Sequence, residues 1–197
     1  MSSNSELSRK LRRQLLDIAR ASIAYGLKHG RPLPVDLHQC PPDITAPRAV
    51  FVTLEKSGKL RGCIGSLEAH EPLVLNVSRN AYAAAFSDHR FPPVTDTELD
   101  ALDIHLSILS PPEEIGFSSE QELIGKIRPG IDGLTLIDGS RKGTFLPSVW
   151  KSLSKPDVFL RHLKQKAGLP SGYWSPALRV YRYTAETIDE SRIGDQE

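Results

Sequence analysis

Polar and apolar positions alternate along this chain with two periods, one near 3.6 and one of two. Leu7, Leu11, Leu15, Ile18, Ser22 and Tyr25 recur at steps of three or four, which predicts an amphipathic first helix. Ser3 with Glu6 matches a capping box, and Gly26 or Gly30 supplies a left-handed stop. Lys10, Arg12, Arg13 and Arg20 fall mostly off the stripe, as a solvated helix face would. From Arg31 to Pro47 five prolines remove backbone donors, so this stretch reads as a connecting loop. Ala49 to Glu55 and Lys59 to Ser66 are rich in strand formers and flank Ser57-Gly58, a hairpin pattern. Glu71-Pro72 opens a helix whose inner stripe is Leu73, Val77, Ala81 and Ala84 and which ends before Pro92-Pro93. Thr95 with Glu98 caps a short helix, and Leu102, Ile104, Leu106 and Ile108 alternate as a half-buried strand.

The second half is read the same way. Ser119 with Glu122 starts a helix, and the breaker run Pro129 to Gly133 ends it. Gly133 to Ile137 and Gly143 to Leu146 form two strands joined through Asp138-Gly139, a second small sheet. Pro156 opens a helix carrying Val158, Phe159, His162 and Leu163, which Gly168 and Pro170 stop. Leu178 to Thr184 is the last strand expected, and the tail after Ile188 reads as frayed and solvated. Several strand links are hairpin-short, which favours antiparallel pairing. The expected fold class is α+β, a mainly antiparallel sheet flanked by helices.

Composition narrows the classes. A chain of 197 residues buries roughly two-thirds of its unfolded surface, so a core needs neither a metal nor a disulfide. One domain, with a smaller lobe at about residues 111–150 and a tail at 189–197, accounts for the whole chain. Lys plus Arg number 25 and Asp plus Glu 24, a net charge of +1 that speaks against a dedicated nucleic-acid binder. Cys40 and Cys63 are too few for a disulfide framework and lack zinc-site spacing; His38 and Cys40 would need a further ligand from elsewhere. No metal or cofactor is expected. Met1 to Arg13 lacks a signal-peptide core and no window approaches a membrane span, so a cytoplasmic location without membrane contact is expected. Phosphate-loop, dinucleotide, metalloprotease and serine-elbow patterns are absent from the sequence.

The oddest stretch is Leu60-Arg61-Gly62-Cys63-Ile64-Gly65, because a strand interior avoids two glycines unless a backbone or ligand comes close. Strict alternation puts Leu60 and Ile64 on one face and Arg61 with Cys63 on the other. The Arg61 guanidinium could then fold over the Cys63 sulfur and favour thiolate, while the glycine amides stay open to an oxyanion. The same residues also fit a buried small hydrophobe and an arginine paired with a carboxylate.

The run Leu60 to Gly65, followed by Ala81 to Ala85, Asp88-His89-Arg90-Phe91-Pro92-Pro93, Ser107 to Ser110 and Lys166-Ala167-Gly168-Leu169-Pro170, resembles the AMMECR family from about residue 10 to 188. Prokaryotic members are called AmmeMemoRadiSam system protein A. The resemblance implies an α+β fold of a larger and a smaller lobe with a cleft between them, a site around the cysteine motif, and genes near a Memo-like and a radical SAM protein. It carries no established reaction. His89 stands where the family commonly has proline, Ser148-Val149 where it has glutamine and valine, and Gln165 where a cysteine often stands.

Together these readings give a candidate set. Cys63 and Arg61 form the catalytic pair, and Gly62, Ile64, Gly65, Asp88, Arg90 and Ser107 contact substrate. Asp88 and Arg90 fit either a cleft site binding carboxylate or phosphate, or a salt bridge that fixes a turn. His89 and His105 are the available bases, with His105 beside Asp103 and Ser107 on the outer strand face. Ser140 to Gly143 reads as a solvated hairpin tip rather than an anion clamp. The expected function is binding of, or thiol chemistry on, a small anionic molecule. The alternatives are an interaction module docking on a radical SAM or Memo-like partner and, more remotely, RNA binding.

Overall fold

The structure, a computed structural model, describes residues 7–191. The fold is α+β, in two compact units: the chain up to Leu109 with the segment from Glu186, and Ser110–Ala185. The second unit runs past residue 150, because the helix at Pro156 and the strand at Arg179 belong to it.

In the first unit, helix α1 (Arg9–His29) is capped by the Ser8 side chain, which accepts the Leu11 amide, and stops at Gly30 with φ of 64°. The capping box at Ser3 and Glu6 lies outside the described residues. Gly26 is a packing position instead of a stop, since a Cβ there would run into the rings of Tyr82 and Phe86. The proline-rich loop holds a one-turn helix, α2 (Pro42–Thr45), which plants Ile44 in the core. Strands β1 (Val50–Lys56) and β2 (Lys59–Gly65) are joined by Ser57 and Gly58, both at positive φ as a tight hairpin requires. Helix α3 (Leu73–Phe86) follows, then a 3₁₀ turn (Asp96–Ala101) with the Thr95/Glu98 box, then β3 (Leu102–Leu109).

With β8 (Ala185–Asp189) these strands form a sheet of order β2-β1-β3-β8, in which β1 runs antiparallel to β2 and β3. Alternation turns Val50, Val52, Leu54, Ile104, Leu106 and Ile108 toward the helices, all with no exposed surface. Burying each such side chain contributes about 1.5–3 kcal/mol.

The sequence pattern does not anticipate β8. Residues after Thr184 continue as a strand, and Glu190 is held by Arg20 of α1 at 2.8 and 2.7 Å. Arg20 also donates to the carbonyls of Leu99 and Leu102, and Arg12 pairs with Glu186 at 3.1 Å. These two arginines of the expected solvated face therefore fasten the C-terminal segment.

The second unit contains β4 (Glu113–Glu114), α4 (Glu120–Lys126), β5 (Gly133–Asp138), β6 (Arg141–Phe145), α5 (Pro156–Lys166) and β7 (Arg179–Tyr183). The sheet order is β4-β7-β5-β6, antiparallel at each pair. Its core gathers Leu134, Leu136, Phe159, Leu160, Leu163 and Val180, with Trp150 stacked on Phe159 at 3.9 Å. At the β5–β6 tip Arg141 donates to the Gly168 carbonyl at 3.0 Å, which fits the reading as a hairpin end.

Candidate functional site

Strand β2 is an edge of its sheet. Its pairing with β1 sets Val52 opposite Ile64, Thr53 opposite Cys63 and Leu54 opposite Gly62, but Glu55 opposite Leu60. Arg61 is the inserted residue of a β-bulge, and strict alternation fails there. Leu60, expected to share a face with Ile64, is 44% exposed, whereas Ile64 packs against the core.

Gly62 faces α3, where a Cβ would collide with the Ala84 carbonyl, and Gly65 lies under the Phe51 ring. Both glycines, expected to leave room for a ligand, serve close packing within the unit. Ile64 packs against the core from the Gly62 side of the strand, so it does not share a face with Cys63. The amide of Cys63 is likewise not open to an oxyanion.

That amide donates to the Asp88 carboxylate at 2.9 Å, and Arg90 Nη2 donates to the Cys63 carbonyl at 3.3 Å. Asp88 and Arg90 therefore close the sheet edge at Cys63 as a neighbouring strand would. They are joined by a fork, Nε to Oδ1 at 2.9 Å and Nη2 to Oδ2 at 2.6 Å, and the Arg90 amide adds a third bond at 3.1 Å. The Asp88 side chain is only 3% exposed. Its carboxyl is held well below the usual range, first by Arg90 and then, against burial, by the Cys63 and Arg90 amides. The charge on Arg90 is favoured mainly by Asp88, and a negative charge on Cys63 favours it further.

With both backbone groups of Cys63 turned to the edge, Cys63 and Thr53 are a non-hydrogen-bonded pair, the kind whose side chains come closest. The Thr53 hydroxyl donates to the Cys63 sulfur at 3.2 Å. On its other side Thr53 is opposite His105 of β3. His105 Nδ1 lies 2.9 Å from Asp189, while Nε2 is buried without a hydrogen-bond partner, with Asp103 at 3.5 Å and Glu55 at 3.6 Å. Cys63, Thr53 and His105 form a row across three strands on the face away from α3.

Arg61 does not carry the role that alternation gave it. Its Nε and Nη2 donate to Glu98 at 3.1 and 3.0 Å, and Nη2 reaches the Pro93 carbonyl at 3.3 Å. Lys56 holds the same carboxylate at 2.9 Å, and the two cations keep the Glu98 carboxyl well below its ordinary range. The guanidinium tied to Cys63 is that of Arg90. Ser107 is opposite Phe51, one row away from Cys63, and His89 is exposed. Cys40 is a free thiol packed partly against the core, and burial pushes its pKa up. No group of metal-ligating side chains occurs among the described residues, so His38 and Cys40 gain no further ligand.

Thr53, Glu98 and Asp189 are the site residues that sequence reasoning misses. Thr53 carries a legible signal, a polar residue between Val52 and Leu54 and hence on the outer face.

Against known proteins, the AMMECR1 family model matches residues 16–188, and the chain belongs to that family. A relative from Methanothermobacter thermautotrophicus is 41% identical over 193 residues, covering 93% of this chain and 96% of its own. One from Thermotoga maritima is 41% identical over 138 residues, 69% of this chain and 74% of that one. The crystal structure of the uncharacterized protein PH0010 from Pyrococcus horikoshii superposes with a TM-score of 0.83 at 34% identity, covering 93% of each chain. No helix among the described residues is long and apolar enough to cross a membrane.

Proposed function

We propose that the Cys63 site binds a small anionic molecule and acts on it through the thiol, with Cys63 as nucleophile or thiol carrier and Arg90 orienting the anion. The observation that carries this reading is the state of Arg90. Asp88 fixes its Nε and Nη2, yet the side chain is 48% exposed and Nη1 makes no hydrogen bond among the described residues. A guanidinium clamped on one side presents its free side to carboxylate or phosphate with little ordering cost. Arg61, bound to Glu98, has the supporting role of tying the 3₁₀ turn to β2.

The cytoplasm, where free thiols stay reduced, suits this chemistry. Docking on a radical SAM or Memo-like partner of an AmmeMemoRadiSam system draws no support from the glycines, which are covered by Ala84 and Phe51. The test is protection of Cys63 from iodoacetamide, in the full chain carrying Cys40→Ser, by a panel of small carboxylates, inorganic phosphate and phosphate monoesters. Saturable protection by a panel member, lost in Arg90→Ala and kept in Arg61→Ala, is the expected result. Protection by none, or equal protection in Arg90→Ala, overturns the reading.

A further inference from the structure

We propose that the second unit carries a separate binding site, for a small quaternary ammonium molecule of the choline type, in the cleft where residues 114–118 meet residues 174–178. The site is independent of the thiol reading. The cleft has a volume of about 310 Å³ and lies wholly within Ser110–Ala185. Its deepest side chains, Ile115 and Leu178, are buried. Phe117 and Trp174 form a wall of two half-buried rings, with centroids 5.6 Å apart and planes tilted by 57°. Among the described residues that line the cleft Glu114 alone is charged, and it is exposed. Both strips of chain are fixed. The Ile115 amide donates to the Val180 carbonyl at 2.8 Å, and Lys126, itself paired with Glu122, donates to the Gly116 carbonyl at 2.7 Å. Across the cleft Ser175 closes a turn, its hydroxyl accepting the Ala177 amide and its carbonyl the Leu178 amide. A wall formed in advance costs a ligand little ordering.

Two aromatic faces and one carboxylate attract a cation, because each ring is negative on its face. The apolar depth selects the kind of cation. A primary ammonium brings three N–H donors to a cleft in which the side chains of Ile115, Leu178, Phe117 and Trp174 offer no acceptor, and a buried donor left unmet is costly. A trimethylammonium has no N–H to satisfy, keeps the charge and turns methyl groups to the rings and the aliphatic side chains. Glu114 supplies the counter-charge at the lip. Its present partner, Arg179 at 3.7 Å, is mostly exposed, and a pair of that kind exchanges at little cost. Lys164, which has no exposed surface, lies 5.9 Å from the Trp174 ring centroid. Its charge is met by Glu120 at 2.8 Å, so it offers little repulsion to a second cation on the open side of the indole. The volume is at the low end for small-molecule sites, which suits a headgroup on a short stem.

The experiment follows the two indole N–H signals in proton–nitrogen NMR spectra of the full chain, assigned with Trp174→Phe, as choline chloride is added and, separately, sodium chloride at equal concentration. Trp150 is the internal reference, since its N–H is buried and donates to the Asp132 carbonyl at 2.7 Å. Choline should move the Trp174 signal saturably and leave that of Trp150 in place. The uncharged isostere of choline, with a tert-butyl group for the trimethylammonium, and ethanolamine, its N–H counterpart, should each bind at least about five-fold more weakly. Glu114→Gln and Phe117→Leu should weaken choline binding by about the same factor. Absence of saturation, a shift matched by sodium chloride, equal affinity for the isostere or for ethanolamine, or choline binding unchanged in Glu114→Gln each overturns the site. Glu114 is exposed, so its variant keeps the fold and the test stands even if Phe117→Leu fails to fold.

Discussion

Asp88 accepts a hydrogen bond from the Cys63 amide at 2.9 Å and so fills the open edge of β2 there. Its second tie, the fork to Arg90, makes one buried carboxylate responsible for both the strand's edge and the cation's position. Asp88→Ala leaves the Cys63 amide unpaired and should lower unfolding stability by about 1.5–3 kcal/mol in urea titration. Asp88 and Glu98 also set a pH dependence. Both folded pKa values lie below their ordinary values of 3.8 and 4.5. The unfolded chain therefore binds more protons at acid pH, and stability rises with pH there. The contribution is complete above pH 4.5, declines as pH falls below it, and is gone once pH has passed through the folded values. Asp88→Asn should flatten that decline in urea titrations at stepped pH, and an unchanged slope contradicts the assignment.

The contact between Gly62 and the Ala84 carbonyl separates two uses of a strand glycine. Gly62→Ala should cost about 1–3 kcal/mol, because backbone and not a flexible side chain must move. Gly116→Ala, where an added Cβ meets nothing within 4 Å, should stay within about 0.5 kcal/mol of the parent. Thermal and urea unfolding of the two variants side by side checks this, and equal midpoints contradict it.

Arg20 and Glu190 join the first helix to the C-terminal segment. Glu190→Ala should lower stability by about 1–2 kcal/mol, discounted for a pair that is one-third exposed. Hydrogen exchange should show the largest loss of protection in β8. Unchanged exchange there contradicts a fastening role.

What the sequence makes legible follows from periodicity. The stripe Leu73, Val77, Ala81 and Ala84 and the alternation Leu102 to Ile108 bury as their spacing requires. Caps with a local partner, such as Thr95 with Glu98 and Ser119 with Glu122, are equally readable. The site is less so, because the bulge at Arg61 has no sequence mark. Counted back from Ser57-Gly58 without it, Thr53 would pair with Gly62; the insertion brings Cys63 opposite Thr53 and breaks the shared face expected of Arg61 and Cys63. β8 is short and mixed in polarity, so the pattern stops at Thr184 and leaves Asp189 and Glu190 to the tail, until His105 of β3 and Arg20 of α1 supply their partners. Long-range pairs of this kind are set by the fold, and local pattern does not report them.

The most direct test of the account compares Cys63 alkylation by iodoacetate and by iodoacetamide, reagents of nearly equal size that differ in charge, in the parent and in Arg90→Ala. A site in which Arg90 orients anions should give the parent a rate ratio in favour of iodoacetate at least about five-fold higher than in Arg90→Ala, with Arg61→Ala keeping the parent's ratio. Equal ratios in the parent and Arg90→Ala, or a loss that follows Arg61 instead, would contradict the account.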